Sequence, residues 1–140
     1  MEKFEWTQNL AVGIPLVDEQ HKMIFQRANE VARAIDEGQA LKEVVKTLGF
    51  LIEYTHYHFS TEEKHMKING YPELDSHQAS HRELIKTLAD LERDFTDEGA
   101  TFQLAAALKT FLINWLTRHI QGIDVRFGNF LNERGIEIEE

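Results

Sequence analysis

Apolar residues recur with the period of an α-helix along almost the whole chain, and only two prolines, Pro15 and Pro72, interrupt it. Long amphipathic helices are therefore what the chain is built to form. A first helix is expected from Asp18, whose side chain can cap it, with a stripe of Ile24, Phe25, Ala28, Val31, Ala32 and Ile35 that ends at Gly38. A second runs from about Ala40 to about Ile68 on Leu41, Val44, Val45, Leu48, Leu51, Ile52, Thr55 and Phe59. Asn69-Gly70-Tyr71-Pro72 is a stop-and-turn signal. The third is expected from about Glu73 to Phe95, before Thr96-Asp97-Glu98-Gly99 breaks the chain. The fourth carries Leu104, Ala105, Leu108, Phe111, Leu112, Trp115 and Leu116. Residues 1–16 have no clear period and read as an arm lying across the bundle through Phe4 and Trp6. The expected fold is all-α, an up-down-up-down four-helix bundle with an N-terminal aromatic arm, forming one domain over residues 1–140.

The bulk properties exclude several classes of function. A net charge of −9 argues against nucleic acid, because phosphate binding needs a basic face. With no cysteine there is neither a disulfide framework nor a thiolate metal site. Lys3, Glu5, Asp18, Glu19 and Lys22 break every early apolar run, so no signal peptide is expected. No stretch reaches the ~18 apolar residues of a membrane span. A cytoplasmic location is the expectation.

A bundle core should be apolar, yet each helix puts ionisable groups on its inward stripe. His21 shares a face with Phe25 and Ala28. His58 continues the second stripe after Leu51 and Thr55, and Glu62 follows one turn later. His77 and His81 align with Leu74, Leu84 and Leu88, and His119 follows Trp115 by four residues. A lone histidine on an apolar stripe is usually a hydrogen-bonded core residue. An i, i+4 pair can reach one metal ion from one side of a helix. Buried imidazoles and a buried carboxylate without partners are costly, and metal ions supply the missing charge and coordination. In an antiparallel bundle all these groups fall near the same end. Asp124 is different: five residues beyond His119, it points about 140° away in a regular helix. It joins the site only if the helix distorts or stops, which Gly122 permits. Spacing alone does not decide between a ligand and an exposed Asp.

His56 is expected to face solvent. His65 shares the His58 face but lies roughly 10 Å along the axis, too far for the same ion. Glu53-x-x-His56 and Glu62-x-x-His65 match the motif of ferritin-like di-iron proteins, but both sit on one helix where that fold needs two.

Together these segments (His21 in Asp-Glu-Gln-His-Lys, His58-Phe-Ser-Thr-Glu62-Glu, His77-Gln-Ala-Ser-His81 and His119-Ile-Gln-Gly-Ile-Asp124) resemble the hemerythrins, in particular the single-domain bacteriohemerythrins. The resemblance covers nearly the whole chain and implies a non-haem di-iron centre that binds O2 reversibly. It implies one iron on His77, His81 and His119, the other on His21 and His58, with Glu62, Asp124 and an oxo or hydroxo group bridging two ions that cycle between Fe2+ and Fe3+. Five imidazoles and two bridging carboxylates, with that shared oxygen, leave one octahedral place open, on the iron with two histidines. Family positions around the vacancy correspond to Ile24, Phe59, Trp115, Leu116, Ile120 and Ile123, all apolar and suited to excluding water. One departure is Phe127, where family members often carry Tyr.

The implied function is O2 storage, transport or delivery to an O2-consuming client enzyme, rather than catalysis. The alternatives are an O2 sensor, or a di-iron enzyme of the peroxidase or ferroxidase type.

Overall fold

The computed structural model describes residues 5–140. Among them there are helices and no strand. Four long helices form the bundle: α1 (Pro15–Asp36), α2 (Leu41–Ile68), α3 (Leu74–Glu98) and α4 (Phe102–Arg118). α4 continues through a π-helical segment, His119–Asp124, into α5 (Val125–Glu133).

The helix ends show what local chemistry decides. α1 starts earlier than a cap at Asp18 would place it. Pro15 occupies its first turn, where a missing N–H costs nothing. Asp18 has another role, since its Oδ1 accepts from the Val12 amide (2.8 Å) and ties down the preceding segment. α3 runs past Phe95 to Glu98, because the polar residues Thr96 and Asp97 tolerate helix on an exposed face, and it stops at Gly99 (φ 86°). Thr101 caps α4 by accepting from the Leu104 amide.

The bundle interior is aliphatic away from the site: Val44, Leu48, Leu51, Leu84, Leu88, Leu108 and Leu112 are buried. The N-terminal segment is anchored by Leu10, Val12 and Ile14. Trp6 is only partly buried, with Lys22 Nζ 4.6 Å above its ring, and Phe4 lies outside the described residues. Gly128 on α5 lies so close to this segment that a Cβ there would run into the Val12 carbonyl. Beyond α5, Ile136 and Ile138 pack back onto the core, and His65 Nε2–H donates to the Glu139 carbonyl. His65 is thus a structural histidine, and His56 is exposed.

Candidate metal centre

The seven ionisable groups of the buried stripes meet in one layer across the bundle. Their side chains come from the start of α1 (His21), the end of α2 (His58, Glu62), the start of α3 (His77, His81) and the π-segment (His119, Asp124). None is more than 3% exposed. They fall into two groups whose ligand atoms lie within 4.8 Å of one another. One contains His77, His81, His119, Glu62 and Asp124; the other contains His21, His58, Glu62 and Asp124. The two carboxylates belong to both.

Asp124 reaches this layer through the π-helix. Hydrogen bonds from i to i+5 add a residue to the turn, so the position five beyond His119 returns to nearly the same face. Asp124 Oδ1 stands 3.0 Å from His119 Nε2 and 2.8 Å from His77 Nε2, while Oδ2 faces His21 Nε2 at 2.9 Å. Gly122 is exposed with open space around it, so the bulge needs no cavity in the core. Arg126 holds the outer side, donating to the Gly122 carbonyl and to Glu73 at the head of α3 (both 2.9 Å).

Three of the five imidazoles are oriented by neighbours that the sequence reading passed over. Gln20 Oε1 accepts from His58 Nδ1–H (2.6 Å) and Glu63 Oε2 from His81 Nδ1–H (2.8 Å), and Ser80 Oγ is hydrogen-bonded to His119 Nδ1 (2.9 Å). Each bond points a ring's Nε2 toward the centre, the orientation that metal-bound histidines require. The available signal was that each of the three directly flanks a candidate ligand: Gln20 precedes His21, Glu63 follows Glu62, and Ser80 precedes His81.

The donor set fits cations. His81 and His119 face each other Nε2 to Nε2 at 3.2 Å, with both Nδ1 atoms hydrogen-bonded elsewhere. Two lone pairs at that range repel unless a proton or a cation lies between them. Nitrogens bound cis on one octahedral ion at ~2.1 Å stand ~3.0 Å apart. His58 Nε2 stands 3.2 Å from Glu62 Oε1, and Glu62 Oε2 has no hydrogen-bond partner among the described residues.

Without metal, protons and carboxylates share the charge. Burial disfavours ionisation of Glu62 and Asp124, yet the surrounding imidazoles outweigh it and hold both carboxyls below their ordinary range. Burial likewise opposes charge on His81, but its bonds to Glu62 and Glu63 win and raise it to about 9. For His58 and His119 burial prevails and the pKa falls.

The apolar residues expected around the vacancy do not form one set. Ile24, Phe59, Leu116 and Ile120 are buried. Phe59 stacks on His81 (3.7 Å between centroids, 6° between planes) and Trp115 on His119 (4.3 Å, 14°), so these rings cover the group with three histidines. Ile123 is half-buried and lines a cavity of about 320 Å³ near the surface with Tyr71, Glu73 and His77. Phe127 is buried edge-on to His77 (87°, centroids 6.3 Å), and His77 Nδ1 has no hydrogen-bond partner among the described residues.

A family model for the hemerythrin HHE cation binding domain matches residues 12–130. The chain belongs to the hemerythrin family. It is similar to the bacteriohemerythrin of Methylococcus capsulatus, 30% identical over 133 residues that cover 94% of this chain and 99% of that protein. The bacteriohemerythrin of Stenotrophomonas maltophilia is 32% identical over 126 residues, covering 89% of this chain and 78% of the relative. A myohemerythrin from Theromyzon tessulatum is 29% identical, with 90% and 92% covered. A wild-type hemerythrin crystal structure superposes with a TM-score of 0.79 at 31% identity, covering 89% of this chain and 94% of that one. The cofactor of a hemerythrin is a non-haem di-iron centre that binds O2, and the clustered His, Glu and Asp side chains suit it. No helix among the described residues is long and apolar enough to cross a membrane.

Proposed function

We propose that this single domain, residues 1–140, holds O2 reversibly for storage, transport or delivery to an O2-requiring client enzyme in the cytoplasm, and does not turn over a substrate. His77, His81 and His119 would hold one iron and His21 and His58 the other, with Glu62 and Asp124 available to both. The observation that carries this reading is the unequal sharing: two buried carboxylates are common to a group with three imidazoles and a group with two. The second group is one nitrogen poorer, which leaves its ion a place for a small ligand.

A ferrous pair bound there supplies the two electrons that reversible O2 uptake requires. The protein supplies the rest. Gln20, Glu63 and Ser80 fix three of the imidazoles in position. Ile24, Leu116 and Ile120, each at most 2% exposed, keep water from the side of the vacancy. Phe59 and Trp115 shield the faces of His81 and His119. Neutral imidazoles donate less charge than carboxylates, so a histidine-rich set stabilises high iron oxidation states less and favours binding over oxidation chemistry.

The test is to measure iron per chain and then follow the absorption spectrum of the reduced protein through cycles of air and argon. Two irons and a reversible oxygenated band are expected. Steady turnover of a peroxide or ferrous substrate, with no stable oxygenated species, would replace this reading with the enzymatic one.

A further inference from the structure

One polar group in the deep interior belongs to none of these networks. The Thr55 hydroxyl is buried, with 1% of the residue exposed, and it is the only side-chain hydroxyl among the described residues that is buried without a partner. Threonine in a helix normally turns its hydroxyl back to a carbonyl of the preceding turn. Thr47, Thr61 and Thr96 do so here, bonding to Glu43, Tyr57 and Glu92. Thr55, one turn from its own potential acceptor, does not.

Its position follows from the register of the bundle. α1 and α2 are antiparallel, and Gln20 meets His58 across their seam (2.6 Å). One turn further into the bundle lie Ile24 on α1 and Thr55 on α2. Leu116 on α4, one turn before His119, falls at the same depth, as does Leu84 on α3, one turn after His81. Ile24, Leu84 and Leu116 are each at most 2% exposed. Along α2, Thr55 is the i−3 neighbour of His58 and the i−4 neighbour of Phe59, so all three share one face. By register, the level one turn inward from His21 and His58 is thus aliphatic at these positions on three helices and carries the Thr55 hydroxyl on the fourth.

We infer that the Thr55 hydroxyl is a hydrogen-bond donor to the small acceptor ligand held in this layer, O2 or an anion such as azide. The inference rests on the O2-binding reading above. A donor left unpaired in the ligand-free protein costs stability, and a ligand that accepts from it recovers that cost. Thr55 is therefore a positioning residue for the ligand, whereas Leu116 only excludes water.

The experiment compares the wild-type protein with Thr55→Val, which keeps the shape, and Thr55→Ser, which keeps the hydroxyl. All are first shown to carry two irons and to form a reversible oxygenated band, so a failure of the O2-binding reading appears before this test begins. O2 release is timed by stopped flow, azide affinity of the diferric protein is measured by its absorption, and iron-free samples are melted. Thr55→Val should release O2 about 5–10-fold faster and bind azide more weakly by a similar factor, the loss of one hydrogen bond. Thr55→Ser should stay near wild type, and iron-free Thr55→Val should melt no lower than wild type. Equal release from Thr55→Val and wild type would overturn the inference and leave an ordinary core threonine satisfied by water. Equally fast release from both variants, or a lower melting temperature for iron-free Thr55→Val, would also overturn it, because packing or a native partner would then be the cause.

Discussion

Asp124 Oδ1 lies 3.0 Å from His119 Nε2 although the two residues are five apart on one helix. Regular α-helix would put them on different faces, so the π-segment His119–Asp124 makes the contact. Removing the carboxylate should leave the fold and take away a shared ligand. Asp124→Ala is expected to bind at most one iron per chain, with an unchanged helical circular dichroism spectrum. Full occupancy by two tightly held ions would show that the π-segment serves packing alone.

Gln20 tests the outer layer of the site. Its Oε1 holds His58 Nδ1–H (2.6 Å), and with Leu at this position the ring loses its orienting partner. Gln20→Leu is expected to weaken metal affinity about 10–100-fold, mainly at the ion with two histidines. Competition with a chelator measures this, and an unchanged titration would remove Gln20 from the account.

Metal uptake should release protons at a pH where free histidine has none to give. In the iron-free protein His81 is raised to about 9 by Glu62 and Glu63, so at pH 8 its ring is still protonated. A metal ion needs the deprotonated Nε2 and must displace that proton. Adding Fe2+ anaerobically, or Zn2+, in weak buffer at pH 8 should acidify the solution by about one proton per chain from this ring, and the release should fade as the pH rises past about 9. A pH indicator reads it directly, and binding with no acidification at pH 8 would contradict the coupling.

Leu116 is 2% exposed and lies one turn before His119. Truncation to Ala should open a path for water and speed oxidation of the oxygenated protein several-fold. A buried Leu→Ala change also costs about 2–5 kcal/mol of stability, so the rate is best compared at a temperature where both proteins are fully folded. Matching autoxidation rates would mean that water is excluded elsewhere, with Ile24 or Ile120 as the next residues to truncate.

How much of this was legible in advance varies with the range of the forces involved. The helical stripes, the stop at Gly38 and the turn at Asn69–Pro72 were readable because periodicity and backbone preference are local. The end of α3 was misplaced because Thr96 and Asp97 are compatible with either state, and Gly99 with its positive φ decides. The start of α1 was misplaced because Pro15 and Asp18 both offer start signals, and the Val12 amide draws Asp18 into a different bond. Gln20, Glu63 and Ser80 went unnoticed because an orienting residue has no period of its own. It needs only to stand opposite a ring nitrogen, which in each case belongs to another helix.

The sequence by itself determined the inventory and the level. Five histidines and Glu62 lie on buried stripes, at heights that an antiparallel bundle brings together. The tertiary structure decided direction. It turned Asp124 inward through a π-helix, paired each carboxylate with imidazoles from several helices, and left Thr55 without a partner. The physical reason is that helical period is a property of one segment. The choice between an α and a π turn, or between two rotamers of a hydroxyl, depends on which groups stand opposite once four helices have packed.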